Sequence, residues 1–157
     1  MLRLLKKSNN KGFTIIEIMI VLAIIAFIML ALFLAVPALN RSKNNTARKS
    51  DAATLASAIT EYVNNNSGLL PTGTTFNNVT SLWKPGYYVA TNVTYTSSTV
   101  AQAIPDPGSL DKISVGNYSA CSGNVGVTLG ASARGVVIVY DVEIGGGGTS
   151  PQCISAQ

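Results

Sequence analysis

The sequence contains no histidine among its 157 residues and only two cysteines, Cys121 and Cys153. Histidine is the side chain that most often serves as a metal ligand or as a general acid or base near neutral pH. The two cysteines do not form a C-x-x-C pair, so the residue pattern of a zinc site is missing as well. We therefore assign no catalytic residue, metal or cofactor, and expect neither enzyme activity nor a small-molecule substrate.

Charge is also scarce, because charged residues make up 11% of the chain and hydrophobic residues 47%. Residues 18–36 contain no charged residue and no proline. As an α-helix this stretch would span about 28 Å, close to the hydrocarbon thickness of a bilayer. A domain of this size cannot enclose a helix that is apolar on every side. The sequence therefore predicts a membrane-embedded helix over residues 13–39.

The formal net charge of +4 comes from the first twelve residues. From Phe13 onward the basic and acidic residues are equal in number, so the positive charge does not indicate a nucleic-acid partner. The four basic residues among these twelve favour a cytoplasmic N-terminus. A second basic group follows the apolar helix, weakens this orientation argument, and is expected to be solvated or near lipid headgroups. It consists of Arg41, Lys43, Arg48 and Lys49.

A second helical pattern follows, with apolar residues on one face and polar residues opposite. It predicts an amphipathic helix over residues 46–66, packed on a sheet. The apolar positions are Ala52, Leu55, Ala56, Ile59, Tyr62 and Val63. Residues 40–45 are the place where the two helical parts could separate. Pro37 has no N–H to donate to the carbonyl of Phe33, so a helix break, as a bend or loosened turn, is predicted there.

Residues 67–157 are rich in Gly, Ser, Thr, Asn and Pro and predict a β-region. Residues 87–95, 125–129 and 135–144 are the strand candidates, and the last of them is expected to be central because it is apolar on both faces. Residues 103–110 and 145–148 are predicted loops or turns. The predicted fold is α+β, with a long N-terminal helix whose second half packs on a small antiparallel sheet.

The cysteines leave two possibilities open. If the C-terminal part lies outside the cytoplasm, we expect a disulfide between Cys121 and Cys153. The alternative is two unrelated buried thiols.

One short motif carries a family resemblance. Lys11-Gly12-Phe13-Thr14, followed by Ile15-Ile16-Glu17 and an uncharged helix, resembles the prepilin signal of type IV pilins and type II secretion pseudopilins. A basic leader ends in glycine, phenylalanine comes next, and an acid is the fifth residue after the expected cut. The resemblance continues loosely over residues 48–71. Beyond them it rests on a small β-region and two late cysteines.

The resemblance implies that residues 1–12 are a leader removed by a prepilin peptidase. The cut would fall between Gly12 and Phe13, with Lys11 and Gly12 recognised, and the new amine of Phe13 would be N-methylated. Residues 13–39 would then form the filament core, and residues 40–157 the globular pilin domain. Implied partners are other copies of the chain, a pilus assembly ATPase, an inner-membrane platform protein and, before assembly, lipid. The implied locations are the cytoplasmic membrane, with the N-terminus inside and the C-terminus outside, and then an extracellular filament.

Glu17 has an electrostatic rationale within this scheme. A central charge in a membrane helix costs about 3 kcal/mol, and Glu17 is near the lipid boundary, where the cost is smaller. Cleavage creates an ammonium at Phe13 that can pair with Glu17 of another copy, so Phe13, Thr14 and Glu17 form the predicted assembly set. Thr14 either orients the terminus or bonds to the backbone. The alternative for Glu17 is an interfacial acid without a role.

Two features differ from the family pattern. Pro37 is the twenty-fifth residue after the cut rather than about the twenty-second, and residues 13–37 contain no glycine. A pseudopilin calcium loop is not recognisable, because the late acids are scattered and expected to be solvated. They are Asp106, Asp111, Asp141 and Glu143.

Three functions remain open: a major type IV pilin, a minor pilin or pseudopilin of a secretion or DNA-uptake system, and an anchored binding domain that does not polymerise.

Overall fold

The computed structural model describes residues 12–97, 103–128 and 134–156, and the chain divides after Leu39 into two compact units. The class is α+β, as predicted. The elements are α1 (Ile15–Asn65), α2 (Phe76–Leu82), a 3-10 turn (Ala90–Asn92), β1 (Val93–Ser97), β2 (Ile113–Asn117), β3 (Ser119–Ser122), β4 (Val125–Thr128), β5 (Val136–Glu143) and β6 (Thr149–Ser155).

Helix α1 is assigned without interruption from Ile15 to Asn65. Neither Pro37 nor residues 40–45 end the helix in the single chain. A proline in a helix removes one hydrogen bond but leaves its neighbours intact, so the helical assignment can continue past it. The bend or loosened turn expected at Pro37 stays a prediction.

The second part of α1 is amphipathic, as predicted. Ala52, Leu55, Ile59 and Val63 are buried, Ala56 and Tyr62 are half-buried, and the polar face is exposed. After Asn65 the helix closes with the Gly68 amide donating to the Val63 carbonyl at 2.9 Å, while Ser67 and Gly68 have positive φ of 56° and 81°. This is the six-to-one bond of a Schellman ending.

The main sheet has four strands in the order β1-β2-β5-β6, so β5 is central, as predicted. Strands β2 and β5 pair antiparallel, as do β5 and β6, but β1 and β2 pair parallel with Val93 opposite Ile113. The predicted antiparallel sheet is therefore corrected to a mixed one. The chain between Ser97 and Ile113 is long enough for the crossover that a parallel pair requires.

Each face of the sheet buries its own cluster. Alternate residues of β2 and β5, such as Val115 and Ile138, join the apolar face of α1 and the aromatic residues Phe76 and Trp83. The other face carries a smaller cluster of Ile104, Val137 and Val139. The paired strands β3 and β4 form a separate two-stranded sheet, whose Cys121 packs against that cluster.

Ile104 fits against this face because two glycines leave room for it. A Cβ at Gly126 would lie 2.9 Å from Cγ1 of Ile104, and a Cβ at Gly116 would overlap the same side chain. Residues 103–110 otherwise form the predicted loop, except that Ala103 pairs with Val127 in an isolated bridge.

Several predicted boundaries in the β-region were wrong. Of residues 87–95 only Val93 to Tyr95 lie in a strand, because the amides of Tyr87 and Tyr88 donate to the Asp51 carboxylate rather than to a neighbouring strand. The candidate at residues 125–129 is β4, with Leu129 outside the described residues. Helix α2 and strands β2, β3 and β6 were not predicted.

Candidate functional site

The predicted cleavage segment precedes α1 in an accessible position. Gly12, Phe13 and Thr14 are not helical and are exposed, with 81% of the Phe13 surface accessible. Lys11 and the rest of the leader, residues 1–11, lie outside the described residues. No atom lies within 4 Å of the position that a Cβ of Gly12 would occupy. The Gly12–Phe13 bond is therefore accessible in the described part of the chain.

Thr14 and Glu17 cap the start of α1 reciprocally. The Glu17 amide donates to Oγ1 of Thr14 at 3.3 Å, and the Thr14 amide donates to Oε2 of Glu17 at 3.4 Å. The Thr14 hydroxyl also donates to Oε2 at 3.5 Å. This arrangement is a capping box, in which two backbone N–H groups without a helical partner are satisfied. The Thr14 hydroxyl thus bonds both to the backbone and to Glu17.

The capping box also explains the position of the acid. A carboxylate in the first turn interacts favourably with the positive end of the helix dipole. The T-x-x-E spacing of Thr14 and Glu17 is the sequence signal for this motif, and our interpretation of the sequence did not use it. The structure brings these two predicted assembly residues together, with Phe13 as the preceding residue.

The part of α1 that precedes Asn40 presents an apolar surface on all sides. Every residue from position 15 to 39 is exposed, and the most hydrophobic 18-residue window of the helix has a mean hydropathy of 3.2 with none of it buried. By length and composition this helix can cross a membrane. Together with the N-terminal motif, it supports a membrane-anchored precursor.

Pro37 lies beside a shallow apolar groove of about 240 Å³. The groove is lined by Met29, Leu32, Phe33, Val36 and Pro37. Phe33 is the residue whose carbonyl the proline cannot bond.

Cys121 of β3 and Cys153 of β6 form a disulfide with an S–S distance of 2.07 Å. Both residues are half-buried and pack on Ile104, Val137 and Val139. The bond joins the two-stranded sheet to the edge of the four-stranded sheet. It stabilises the second unit and takes part in no site that we identify.

A buried polar network in the second unit was not predicted. The Asp51 carboxylate accepts three backbone amides, those of Gly86, Tyr87 and Tyr88, at 3.0, 2.6 and 3.0 Å. The Trp83 indole N–H donates to the Asp51 carbonyl at 3.1 Å. These bonds fix the segment after α2 against α1.

Arg48, only 2% exposed, extends this network and corrects one expectation. Its Nη2 donates to the Tyr87 hydroxyl at 2.6 Å and its Nη1 to Oδ1 of Asn45 at 2.8 Å, and its Cζ lies 4.7 Å from the centre of the Tyr87 ring. The expected solvated or lipid-headgroup position was therefore wrong for Arg48, because neutral acceptors and an aromatic ring replace water around its charge. Lys43 and Lys49 are exposed, as expected.

The four late acidic residues were expected to be solvated, and this expectation was wrong for Asp141. Asp106 and Asp111 are exposed and Glu143 is half-buried, but Asp141 is fully buried and neither of its carboxyl oxygens makes a hydrogen bond of normal geometry. Burial raises the pKa of Asp141 to about 6, and the Asp106 carboxylate beside it adds to the rise. Within residues 12–97, 103–128 and 134–156, no group of three or more potential ligands is placed to hold a metal ion.

The comparisons with known proteins concern the N-terminal part of the chain. Residues 7–33 match the family model described as the prokaryotic N-terminal methylation motif. No curated protein and no solved structure matches the chain. The matched motif points to a structural subunit and implies processing by a prepilin peptidase. The chain therefore carries, at residues 7–33, the prepilin-type signal of type IV pilins and pseudopilins.

Proposed function

We propose that this chain is a type IV pilin subunit that is cleaved between Gly12 and Phe13 and then polymerises through its N-terminal helix into a surface filament. One observation carries the proposal. A helix that is exposed and uncharged over residues 18–36 begins with a single acid, Glu17, held at its N-terminal end directly after the predicted cut.

Processing is the first step of the proposal. Residues 12–14 are exposed and non-helical, which is the form in which a peptide bond can enter a peptidase site. Cleavage would leave Phe13 as the first residue, with an α-amine whose ordinary pKa of about 8 keeps it positive at neutral pH. Methylation of that amine by the same peptidase would preserve the positive charge.

The apolar surface alone does not specify an assembly. Lipid tails are as apolar as the side chains of residues 18–36, so moving the helix from lipid into a filament gains packing but little hydrophobic free energy. A small-residue pair such as Ala31 and Ala35 allows close packing without fixing an axial position. The register between copies therefore needs a polar interaction.

Glu17 and the Phe13 ammonium of a neighbouring copy would supply that interaction. At about 4 Å and an effective dielectric constant near 20, the attraction is on the order of 4 kcal/mol before desolvation is subtracted. Because desolvation offsets much of this energy, we assign the pair to register rather than to net stability. The capping box keeps the Glu17 carboxylate at the N-terminal end of its own helix, where a neighbour's ammonium can approach it.

The partners and locations follow from this scheme. The precursor would be a single-pass protein of the cytoplasmic membrane with residues 40–157 outside, where the Cys121–Cys153 disulfide can persist. A prepilin peptidase, an assembly ATPase and an inner-membrane platform protein would process the subunit and move it into an extracellular filament.

The test combines the mass of the N-terminal peptide with the yield of sheared fibres. We expect a methylated Phe13 at the N-terminus and this chain as the main fibre protein. Glu17→Ala and Glu17→Gln should be cleaved normally but lose most of the fibre yield, whereas Glu61→Gln, which changes an exposed acid of the second unit, should keep it.

Three results would contradict the proposal in different ways. An uncleaved Met1 in the membrane fraction would favour a non-polymerising anchored domain. Only traces of the chain in fibres built from another subunit would favour a minor pilin or pseudopilin. Normal fibres from Glu17→Ala would remove the register argument.

A further inference from the structure

The turn between β5 and β6, residues 144–148, is fixed against the first residues of the second unit. The Asn45 side chain donates from Nδ2 to the Glu143 carbonyl at 2.8 Å and accepts the Glu143 amide on Oδ1 at 2.9 Å. One turn earlier on α1, Nη1 of Arg41 lies 3.4 Å from the position that a Cβ of Gly145 would occupy. The β5–β6 turn therefore lies at the level of Arg41 along α1.

The surface of the β5–β6 turn is uncharged and partly apolar. Ile144 is 46% exposed, although it begins a tight turn in which its amide donates to the Gly148 carbonyl at 2.9 Å. Gly146 and Gly147 have φ of 86° and 80°, and no atom lies within 4 Å of where their Cβ atoms would be. The exposed groups are thus an isoleucine and glycine backbone, and the half-buried Arg41 side chain lies beside them.

Chain length places Arg41 at a defined depth in a membrane. If residues 18–36 fill the hydrocarbon layer, Arg41 comes five residues later, about 7 Å farther along a helix. The headgroup region on each side of a bilayer is about 5–7 Å thick. Arg41 is therefore expected among the phospholipid headgroups, and the β5–β6 turn is expected at a similar depth because Gly145 lies beside the Arg41 guanidinium.

We infer that the β5–β6 turn and Arg41 form a lipid-contact surface that rests on the outer face of the membrane in the anchored precursor. Arg41 binds lipid phosphates, the glycine backbone lies among the headgroups, and Ile144 enters the upper edge of the acyl region, which is the division of roles seen for interfacial segments. The inference rests on the membrane-anchored precursor of the proposed function and does not require polymerisation.

The test uses the full, uncleaved chain in vesicles of phosphatidylethanolamine and phosphatidylglycerol. Ile144→Trp adds an indole to the native Trp83, and lipids brominated near the upper end of the acyl chain quench nearby indoles. The matched control is Leu69→Trp. Leu69 is 70% exposed and follows the end of α1 at Asn65, which lies about 36 Å from Arg41 along the helix axis. We expect brominated lipid to remove most of the added emission of Ile144→Trp and none of that of Leu69→Trp.

A second pair of variants tests the role of Arg41. In the Ile144→Trp background, Arg41→Glu should reduce the quenching because a carboxylate is repelled by lipid phosphates, and Arg41→Lys should retain it. The same quenching is measured in vesicles of phosphatidylcholine alone, which carry phosphate but no net charge. Quenching that persists there indicates binding to any lipid phosphate. Quenching that is lost there indicates a preference for anionic lipid.

The folded state is checked in every variant by Trp83, whose buried indole N–H bonds to Asp51 and Thr54. If Ile144→Trp fails this check, Thr149→Trp replaces it, because Thr149 is exposed at the end of the same turn. Equal quenching of Ile144→Trp and Leu69→Trp would overturn the inference. So would cross-linking of the turn to a second copy in place of lipid. Normal fibres together with an unquenched turn would reject this inference alone and leave the proposed function intact.

Discussion

Within α1, residues 15–39 are all exposed, whereas residues 48–63 bury seven side chains. The first stretch is apolar around its whole circumference, and the second is apolar on one face. Both are regular α-helix, so the difference is not one of backbone conformation. The first stretch therefore has no packing partner in the part of the chain that the structure describes, while the second finds its partners within its own unit.

The polar groups of the two stretches differ in the same way. Among the described residues, the side chains of Thr14 and Glu17 bond only within this pair, at 3.3–3.5 Å, and both residues remain exposed. Arg48 and Asp51 are buried and bond to residues more than 30 positions away at 2.6–3.0 Å. Substitutions of buried residues in the second stretch should therefore change the free energy of unfolding of the second unit, and substitutions in the first stretch should not.

The largest expected effect is that of Asp51→Ala. It removes the acceptor of three backbone amides, and each buried donor left without a partner costs about 1–3 kcal/mol. We expect the free energy of unfolding to fall by about 4 kcal/mol, measured by urea denaturation of the full chain in detergent with Trp83 fluorescence. Glu61→Ala on the exposed face of α1 is the control. A loss below about 1 kcal/mol would show that water replaces the carboxylate without cost.

A leucine-to-alanine substitution in each stretch tests directly whether only the second stretch contributes to the stability of the second unit. Leu55 is fully buried, and Leu55→Ala should cost about 3 kcal/mol because it leaves a cavity in the core. Leu32 is 52% exposed, and Leu32→Ala should leave the unfolding of the second unit unchanged. Both are measured by the same urea denaturation. A clear destabilisation by Leu32→Ala would mean that the two stretches do not act independently.

Asp141→Asn should stabilise the second unit at neutral pH and have no effect in acid. Burial and Asp106 raise the pKa of Asp141 from 3.8 in the unfolded chain to about 6, so the folded state binds the proton more tightly. The free energy of unfolding therefore falls as pH rises from about 4 to about 6. We expect a gain of about 2 kcal/mol at pH 7 and none below about pH 4, from denaturation across this range. A gain that does not vary with pH would contradict this assignment.

The smallest expected effect is that of a substitution at Thr14, the residue that caps the first stretch. Thr14→Val removes the hydroxyl that accepts the Glu17 amide and donates to its carboxylate. Loss of a helix cap costs about 1 kcal/mol, so hydrogen exchange of the Glu17 amide should become about five times faster. Thr14→Ser should restore the slow exchange, and the unfolding of the second unit should stay unchanged. Equal exchange rates in Thr14→Val and the native chain would show that the cap is not formed.

The parts of the structure set by local periodicity were predictable from the sequence. The apolar helix, the buried face around Leu55 and Ile59, and the central position of β5 each follow from a pattern within about twenty residues. The prepilin-type signal was equally local, since it lies within residues 7–33. For the candidate site, the assembly role of Phe13, Thr14 and Glu17 stays a prediction, and the hydrogen bonds between Thr14 and Glu17 were not predicted.

The parts that depend on distant partners were not predictable. Asp51 meets the amides of residues 86–88 only in the folded chain, and that contact turned the apparent strand at Tyr87 into a bend. Burial of Arg48 depends on Tyr87 in the same way. The parallel pairing of β1 with β2 joins residues far apart in the chain, such as Val93 and Ile113, which local periodicity does not reveal.

The Cys121–Cys153 disulfide has a mechanical consequence. β6 is an edge strand held to β5 by backbone pairing, and a strand at an edge can be peeled away one hydrogen bond at a time under tension. A covalent link from the middle of β6 to β3 stops such peeling at Cys153 and passes the force to the second sheet. Under an external pull, failure of this unit would then require several strands to separate together, which takes a larger force than unzipping one.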